Sequence, residues 1–312
     1  YFNLGGILNK LGKSKEAQIS IRKAIEINPN YRNAYFKLFR NYEEMNCLLK
    51  LAESLKEFRE VNIIKNELLL FNARLSFRNK EYITAKGLID NISPKWIEQN
   101  DNKSNILYWS YKAFIEDKVR NYDLAYSCFE KSQEDLSYRK ISRISYINYI
   151  NSYKKNIVNN IHLSFYNNNL NEYSNLAFLI GFPRSGTTLL DTILRSHPEI
   201  EVIEEKPIIS KIEVLIQENL KTSLDNLSNI SEENIVFLRK KYFELLNQYT
   251  NKNANLIIDK LPLNTASLPL IYILFPKSKI IFTYRNPYDT VLSCFQQSFR
   301  PNEAMVNLVS LK

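Results

Sequence analysis

The sequence predicts two domains of different class, an all-helical repeat array followed by an α/β domain built on a parallel sheet. Three observations carry this. Large and small apolar residues recur in phase 34 residues apart at the start of the chain. An apolar run of strand length, Leu176 to Ile180, leads through the Gly-containing segment Gly181 to Thr188 into a helical pattern at Leu189, Leu190, Ile193 and Leu194. A second strand-to-helix junction lies between Lys279 and Ser293. Length agrees, since 312 residues suit two domains of about 150 each.

The array opens with Tyr1, Leu4, Gly5, Leu8, Ala17, Ile21, Ala24 and Pro29. Gly5 and Ala17 are small where two antiparallel helices approach, and Pro29 stops the second helix after Asn28. Tyr35, Leu38 and Tyr42 begin a poorer second unit in phase. Further hairpins are expected over Leu69 to Ile92 and Trp109 to Ser132. Each has a Tyr-x-x-Ala step, at Tyr82 and Tyr122, with Ile89 or Phe129 four residues after the alanine. These offsets resemble the tetratricopeptide repeat. The resemblance implies a solenoid over 1–165 whose concave face binds a peptide or protein, or a spacer that packs on the next domain; both readings stand open. Asn167, Asn168, Asn169 and Asn171 fall in a stretch without apolar periodicity, so 166–175 is expected to be a linker, with 176–312 as the second domain. His162, with no ligand-spaced partner, reads as structural or surface rather than metal-binding.

Bulk composition narrows the function classes. With 45% hydrophobic and 24% charged residues the chain reads as globular, and no uninterrupted apolar run reaches the ~18 residues of a membrane helix. The longest apolar region, Leu268 to Phe282, is broken at Pro276, Lys277 and Lys279 and is expected to be a helix, a turn and a buried strand. Cys47, Cys128 and Cys294 lack disulfide or metal spacing, which fits a reducing, cytoplasmic setting. The net charge of +9 is spread along the chain, so no nucleic-acid partner and no membrane partner is expected. No signal segment precedes the repeat, and the chain begins with Tyr1 rather than Met, as a fragment would.

The chemistry sits in the second domain. G-F-P-R-S-G-T-T, Gly181 to Thr188, joins a strand to a helix and so aims backbone N–H groups and a helix N-terminus at an anion. Gly181 and Gly186 have P-loop spacing, yet Thr187 stands where an NTPase has its lysine, and the cation is inside the loop at Arg184. A kinase or NTPase reading is disfavoured for that reason, and the loop suits a phosphate-sulfate group better than a triphosphate.

P-R-S-G-T-T-L-L after a strand resembles the 5′-phosphosulfate loop of sulfotransferases that use 3′-phosphoadenosine 5′-phosphosulfate, and R-N-P-Y-D-T-V-L-S, Arg285 to Ser293, resembles their 3′-phosphate motif. The resemblance implies a P-loop-like parallel-sheet sulfotransferase domain. It places donor binding on Arg184, Ser185, Gly186, Thr187, Thr188, Arg285 and Ser293. H-P-E-I-E-V-I-E-E-K-P, His197 to Pro207, is similar to the protein-tyrosine sulfotransferase branch, which implies Glu205 as catalytic base; a helix-start acid is its plainer reading. D-K-L-P, from Asp259, matches a segment whose lysine polarises the sulfuryl group, which implies Lys260; an exposed loop lysine is the alternative. Arg184 with Lys260 would stabilise the leaving phosphate, and no metal is required. His197 reads as a helix terminator.

The implied acceptor is a hydroxyl on protein tyrosine, a carbohydrate or a small molecule. Pro207 stands where the tyrosine branch has arginine, which weakens the peptide option. Complete family domains continue past Ser293 with helices and a basic segment, so the resemblance implies a C-terminally truncated chain, binding nucleotide weakly and inactive alone. A non-catalytic repeat scaffold carrying a decayed transferase is the remaining alternative.

Overall fold

A computed structural model describes residues 1–99, 102–134, 141–158, 175–250, 254–299 and 302–308. The chain forms two compact units, Tyr1–Leu136 and Ser137–Lys312. The first is helical: α1 (Phe2–Lys10), α2 (Ser14–Ile27), α3 (Arg32–Glu44), α4 (Leu48–Glu57), α5 (Lys65–Arg78), α6 (Tyr82–Asp90), α7 (Pro94–Gln99), α8 (Asn102–Lys118) and α9 (Tyr122–Ser132). Pairs α1/α2, α3/α4, α5/α6 and α8/α9 are the hairpins expected from the repeat spacing. At Gly5 the reason is steric, because a β-carbon there would lie 2.6 Å from Ile21 Cγ1 and 3.2 Å from the Ala17 carbonyl oxygen. The short α7 had no periodic signal in the sequence. It is held through Trp96, whose indole N–H donates to the buried Glu67 carboxylate at 3.2 Å.

The second unit begins with α10 (Arg143–Val158), which the sequence placed in the repeat array. Its contacts run instead to the sheet-bearing unit. Tyr149 and Tyr153 donate from their hydroxyls to Glu213 Oε1 at 2.8 and 2.7 Å, and Ser267 donates to the same oxygen at 2.7 Å. Asn156 bonds the Leu224 carbonyl at 2.7 Å and accepts from the Leu227 N–H at 2.8 Å. The expected linker, apart from Asn175, and His162 lie outside the described residues.

Four strands follow, β1 (Leu176–Gly181), β2 (Ile200–Glu204), β3 (Leu256–Lys260) and β4 (Lys279–Thr283), all parallel in the order β2-β3-β1-β4. Between them run α11 (Thr187–Arg195), α12 (Ile208–Glu218), α13 (Glu232–Leu246) and α14 (Leu268–Leu274), and α15 (Pro287–Phe295) follows β4. Strand side chains alternate between faces. Phe178 and Ile180 pack with α12, α13 and α14, while Ala177, Leu179 and Ile258 pack with Leu190 and Leu194 of α11. β1 is central, and chain order reverses around it. Its carboxyl end is therefore the crevice where open α/β sheets bind ligands.

Two expectations need correction. The strand at 279–283 was expected to be buried, but among the described residues β4 pairs only with β1, at the sheet edge, and Ile280 and Phe282 are 39% and 55% exposed. The exposed-loop alternative for Lys260 does not hold, because Lys260 is the last residue of β3 and wholly buried.

Glu213 accepts from three hydroxyls, of which Tyr149 and Ser267 also lie 2.6 Å apart and can bond each other, so Glu213→Ala leaves two donors without an acceptor, at a cost of roughly 3 kcal/mol. Amide hydrogen exchange should quicken about a hundredfold in α10 and α12, and in no helix of the first unit. Tyr153→Phe, which removes one donor only, should cost about 1 kcal/mol.

Candidate active site

The loop after β1 is fixed by short polar contacts before any ligand chemistry is considered. Gly181 N–H donates to Thr265 Oγ1 at 3.0 Å, and Ser185 and Thr283 share a hydroxyl hydrogen bond of 2.7 Å. A β-carbon on Gly181 would come within 2.9 Å of the Thr283 carbonyl oxygen, so glycine is the residue that lets β4 lie this close. The turn then needs left-handed backbone at Arg184 (φ 68°) and Gly186 (φ 105°). For arginine that conformation costs about 1 kcal/mol or more and is kept where the surroundings impose it. α11 starts at Thr187 with Gly186 as its N-cap and no side-chain cap, so its first N–H groups face the crevice without an intrahelical partner.

The two arginine motifs meet. Arg184 Nε donates to Ser293 Oγ at 3.1 Å, and Arg285 Nη1 donates to the Arg184 carbonyl at 3.3 Å. Cys294 Sγ reaches the Pro183 carbonyl at 3.4 Å, which ties α15 to the same loop. α15 is itself capped by Asn286, whose side chain accepts from the N–H groups of Tyr288 and Asp289, with Pro287 in the first turn. One cleft of about 530 Å³ is lined by Arg184, Gly186, Thr187, Thr188, Glu205 and Arg285, among others. Ser185 and Ser293, both named from the sequence, do not line it; their hydroxyls are engaged with Thr283 and Arg184.

Beside the cleft lies a charge cluster. Lys260 Nζ, with no exposed side-chain surface, sits 2.7 Å from Glu205 Oε1, 3.5 Å from Glu204 Oε1 and 3.9 Å from Asp191 Oδ2. Arg195 also binds Asp191 and reaches Glu204 at 3.1 Å. The Glu205 side chain is 54% exposed, and its backbone is left-handed, φ 50°, with its N–H donating to the Lys260 carbonyl at 2.7 Å. Glu205 therefore faces the cleft from one side of an ion pair whose other member is dry. It belongs to no helix, unlike the plainer reading of that acid. His197 follows the end of α11 and accepts from the Glu199 N–H at 3.2 Å, a terminating role.

Sequence reasoning missed Asp191, Thr265, Thr283 and Asp259. Asp191 had a signal, four residues after Thr187 and four before Arg195 on one helical face; the two threonines had none. Asp259 precedes Lys260 and so faces the opposite side of the sheet. It is fully buried there and accepts from the Tyr242 hydroxyl at 2.7 Å. Burial raises its pKa from 3.8 to about 7, against the smaller opposing effect of that hydrogen bond.

Residues 177–310 match the sulfotransferase family, and residues 1–31 match the tetratricopeptide repeat. An uncharacterized protein of Aquifex aeolicus is 34% identical over 128 residues, covering 39% of this chain and 17% of that protein. The nodulation protein NoeE of Sinorhizobium fredii is 31% identical over 131 residues, 38% of this chain and 30% of its own length. A putative protein-tyrosine sulfotransferase of Caenorhabditis briggsae is 29% identical over 136 residues, 41% of this chain and 45% of its own length. The chain thus spans less than half the length of each of these relatives. It carries a sulfotransferase-family domain behind a tetratricopeptide repeat. No helix among the described residues is long and apolar enough to cross a membrane.

The buried carboxyl gives a pH signature. Folded Asp259 holds its proton to about pH 7 while the unfolded chain releases it near 3.8, so its contribution is full below about pH 4 and is lost as pH rises through 7. The loss is roughly 4 kcal/mol at most. Asp259→Asn should remove it. Urea midpoints followed by circular dichroism at pH 5 and pH 8 should differ less in the variant than in the wild type, and an equal difference in both would exclude this origin.

Proposed function

We propose that the second unit binds 3′-phosphoadenosine 5′-phosphosulfate and transfers its sulfuryl group to an acceptor hydroxyl. The observation that carries this reading is the shared cleft, in which guanidinium groups from the ends of β1 and β4 converge with the N-terminus of α11 and the Glu205 carboxylate. The donor set fits a bisphosphate, because arginine forks and helix N–H groups match tetrahedral oxyanions at two places. On this reading Arg184, Thr187 and Thr188 with the loop amides take the 5′-phosphosulfate end. Arg285 takes the 3′-phosphate, and Ser293, outside the cleft lining, steadies Arg184 through its hydroxyl.

In the transfer step the acceptor oxygen forms a bond to sulfur as the bond from sulfur to the bridging phosphate oxygen breaks. The electron pair leaves with the 5′-phosphate, and the acceptor proton passes to Glu205. The products are a sulfate ester and 3′,5′-bisphosphoadenosine. Lys260 holds the Glu205 carboxylate in register, and Arg184 faces the charge that builds on the leaving oxygen. The left-handed backbone at Arg184 and Glu205 supports a functional reading of both, since strain of this kind collects at working sites. A protein or peptide partner for the repeat unit and a reducing, cytoplasmic compartment are further parts of this proposal, and the acceptor hydroxyl belongs to protein tyrosine, a carbohydrate or a small molecule.

Isothermal titration with 3′,5′-bisphosphoadenosine tests the site. Arg184→Ala and Arg285→Ala should each weaken binding at least tenfold. Glu205→Gln should leave binding within threefold yet lower transfer from labelled donor at least a hundredfold. Tighter binding of magnesium-ATP than of the bisphosphate would sink the reading in favour of an NTPase, and transfer unaffected by Glu205→Gln would sink the assigned base.

A further inference from the structure

The charge cluster beside the cleft holds more carboxylate than its cations need. Lys260 and Arg195 are its cations, and Asp191, Glu204 and Glu205 are its anions, so one negative charge stands in excess. The members differ in their access to water. Glu204, Glu205 and Arg195 are half-exposed, whereas the Asp191 and Lys260 side chains are 3% and 0% exposed. Water can stand in for an exposed partner, but the buried pair depends on protein groups.

Asp191 joins two parts of the site. It lies one helical turn after Thr187, and both are buried on one face of α11. The helix that begins at the anion-binding loop therefore carries, one turn on, a carboxylate aimed at Lys260, with Oδ2 3.9 Å from Nζ. The same oxygen accepts from Arg195 Nη2 at 3.0 Å, and the other accepts from Arg195 Nε, so the carboxylate is fixed from two sides. Asp191 is not among the described residues that line the cleft, and any effect it has on the chemistry must pass through Lys260.

We propose that Asp191 is a positioning residue acting through Lys260: it holds the buried ammonium against Glu205 and balances that ammonium while Glu205 carries the acceptor's proton. The second half rests on the transferase reading; the hold on Lys260 is independent of it. In the transfer step the acceptor oxygen bonds to sulfur, the bond from sulfur to the bridging phosphate oxygen breaks with its electron pair going to the phosphate, and the acceptor proton moves to Glu205. Glu205 is then neutral, and Lys260 has lost its nearest countercharge. With Asp191 in place the cluster passes from an excess negative charge to balance. In Asp191→Asn it would pass from balance to an excess positive charge around a dry ammonium, which a buried setting opposes. The resting variant is balanced and is therefore expected to fold.

Two measurements on the full chain test this. The ammonium protons of Lys260, followed by nitrogen-15 NMR of lysine side chains, should exchange with water at least about tenfold faster in Asp191→Asn than in the wild type, and within about threefold of it in Asp191→Glu. Transfer from labelled 3′-phosphoadenosine 5′-phosphosulfate is measured with an acidic tyrosine peptide, N-acetylglucosamine and 2-naphthol as acceptors. Asp191→Asn should lower kcat at least about thirtyfold while donor KM and 3′,5′-bisphosphoadenosine affinity stay within about threefold, and Asp191→Glu should restore most of the loss. Circular dichroism melting shows whether each variant is folded, and Asp191→Ser, with the same expected effects, serves if Asp191→Asn is not. Ammonium exchange that the folded variant leaves within threefold overturns the assignment. So does an unchanged kcat, and so does a fall in kcat matched by an equal fall in bisphosphate affinity, which would make Asp191 a support of the loop alone. If the wild type neither binds the bisphosphate nor transfers sulfate while the ammonium response is seen, the donor reading sinks and the hold of Asp191 on Lys260 stands.

Discussion

A lysine ammonium with no exposed side-chain surface must be surrounded by anions, because burying an isolated charge costs far more than the fold can supply. Lys260 meets that requirement with Asp191 from α11, Glu204 from the end of β2 and Glu205 just beyond it. Three elements distant in sequence are thereby drawn to the carboxyl end of β3. Removing Lys260 would leave three clustered carboxylates without the ammonium they share, so the cluster acts as a geometric lock as much as a source of stability. Its consequence for the site is the placement of Glu205, held by the dry ammonium on one side and open to the cleft on the other.

The loop after β1 obeys a second constraint, close approach. Gly181 lets β4 lie against β1, and hydroxyls of Thr265, Thr283 and Ser185 fill the hydrogen-bond needs of the turn without a charged group. The cations of the loop are in consequence free to face the crevice. Arg184 pays for its position with left-handed backbone and is steadied by Ser293, while Arg285 reaches back to the Arg184 carbonyl. Two motifs a hundred residues apart in the chain become one surface through these bonds.

The dipeptide Asp259-Lys260 shows how a parallel strand separates functions. Alternation sends Lys260 toward α11 and the cleft, and Asp259 toward Tyr242 and the packed helices beneath. One residue serves a charged cluster at the site, and its neighbour carries a pH-sensitive proton inside the core. The sheet between them keeps two opposite electrostatic environments within adjacent residues.

The sequence by itself determined what is local: the helical hairpins from their period of apolar and small residues, the strand-loop-helix junctions at Gly181 and Arg285, and the phosphate character of a loop with arginine inside and threonine in place of lysine. These signals are legible because backbone conformation and side-chain spacing repeat over a few residues. Only tertiary structure decided the rest. It moved α10 from the repeats to the sheet-bearing unit through Glu213, put β4 at an edge, buried Lys260 among carboxylates, and revealed Asp191, Thr265 and Asp259. Each of those outcomes depends on which distant groups satisfy a buried charge or an unpaired hydrogen-bonding group, and such a partner leaves no mark in the sequence around it.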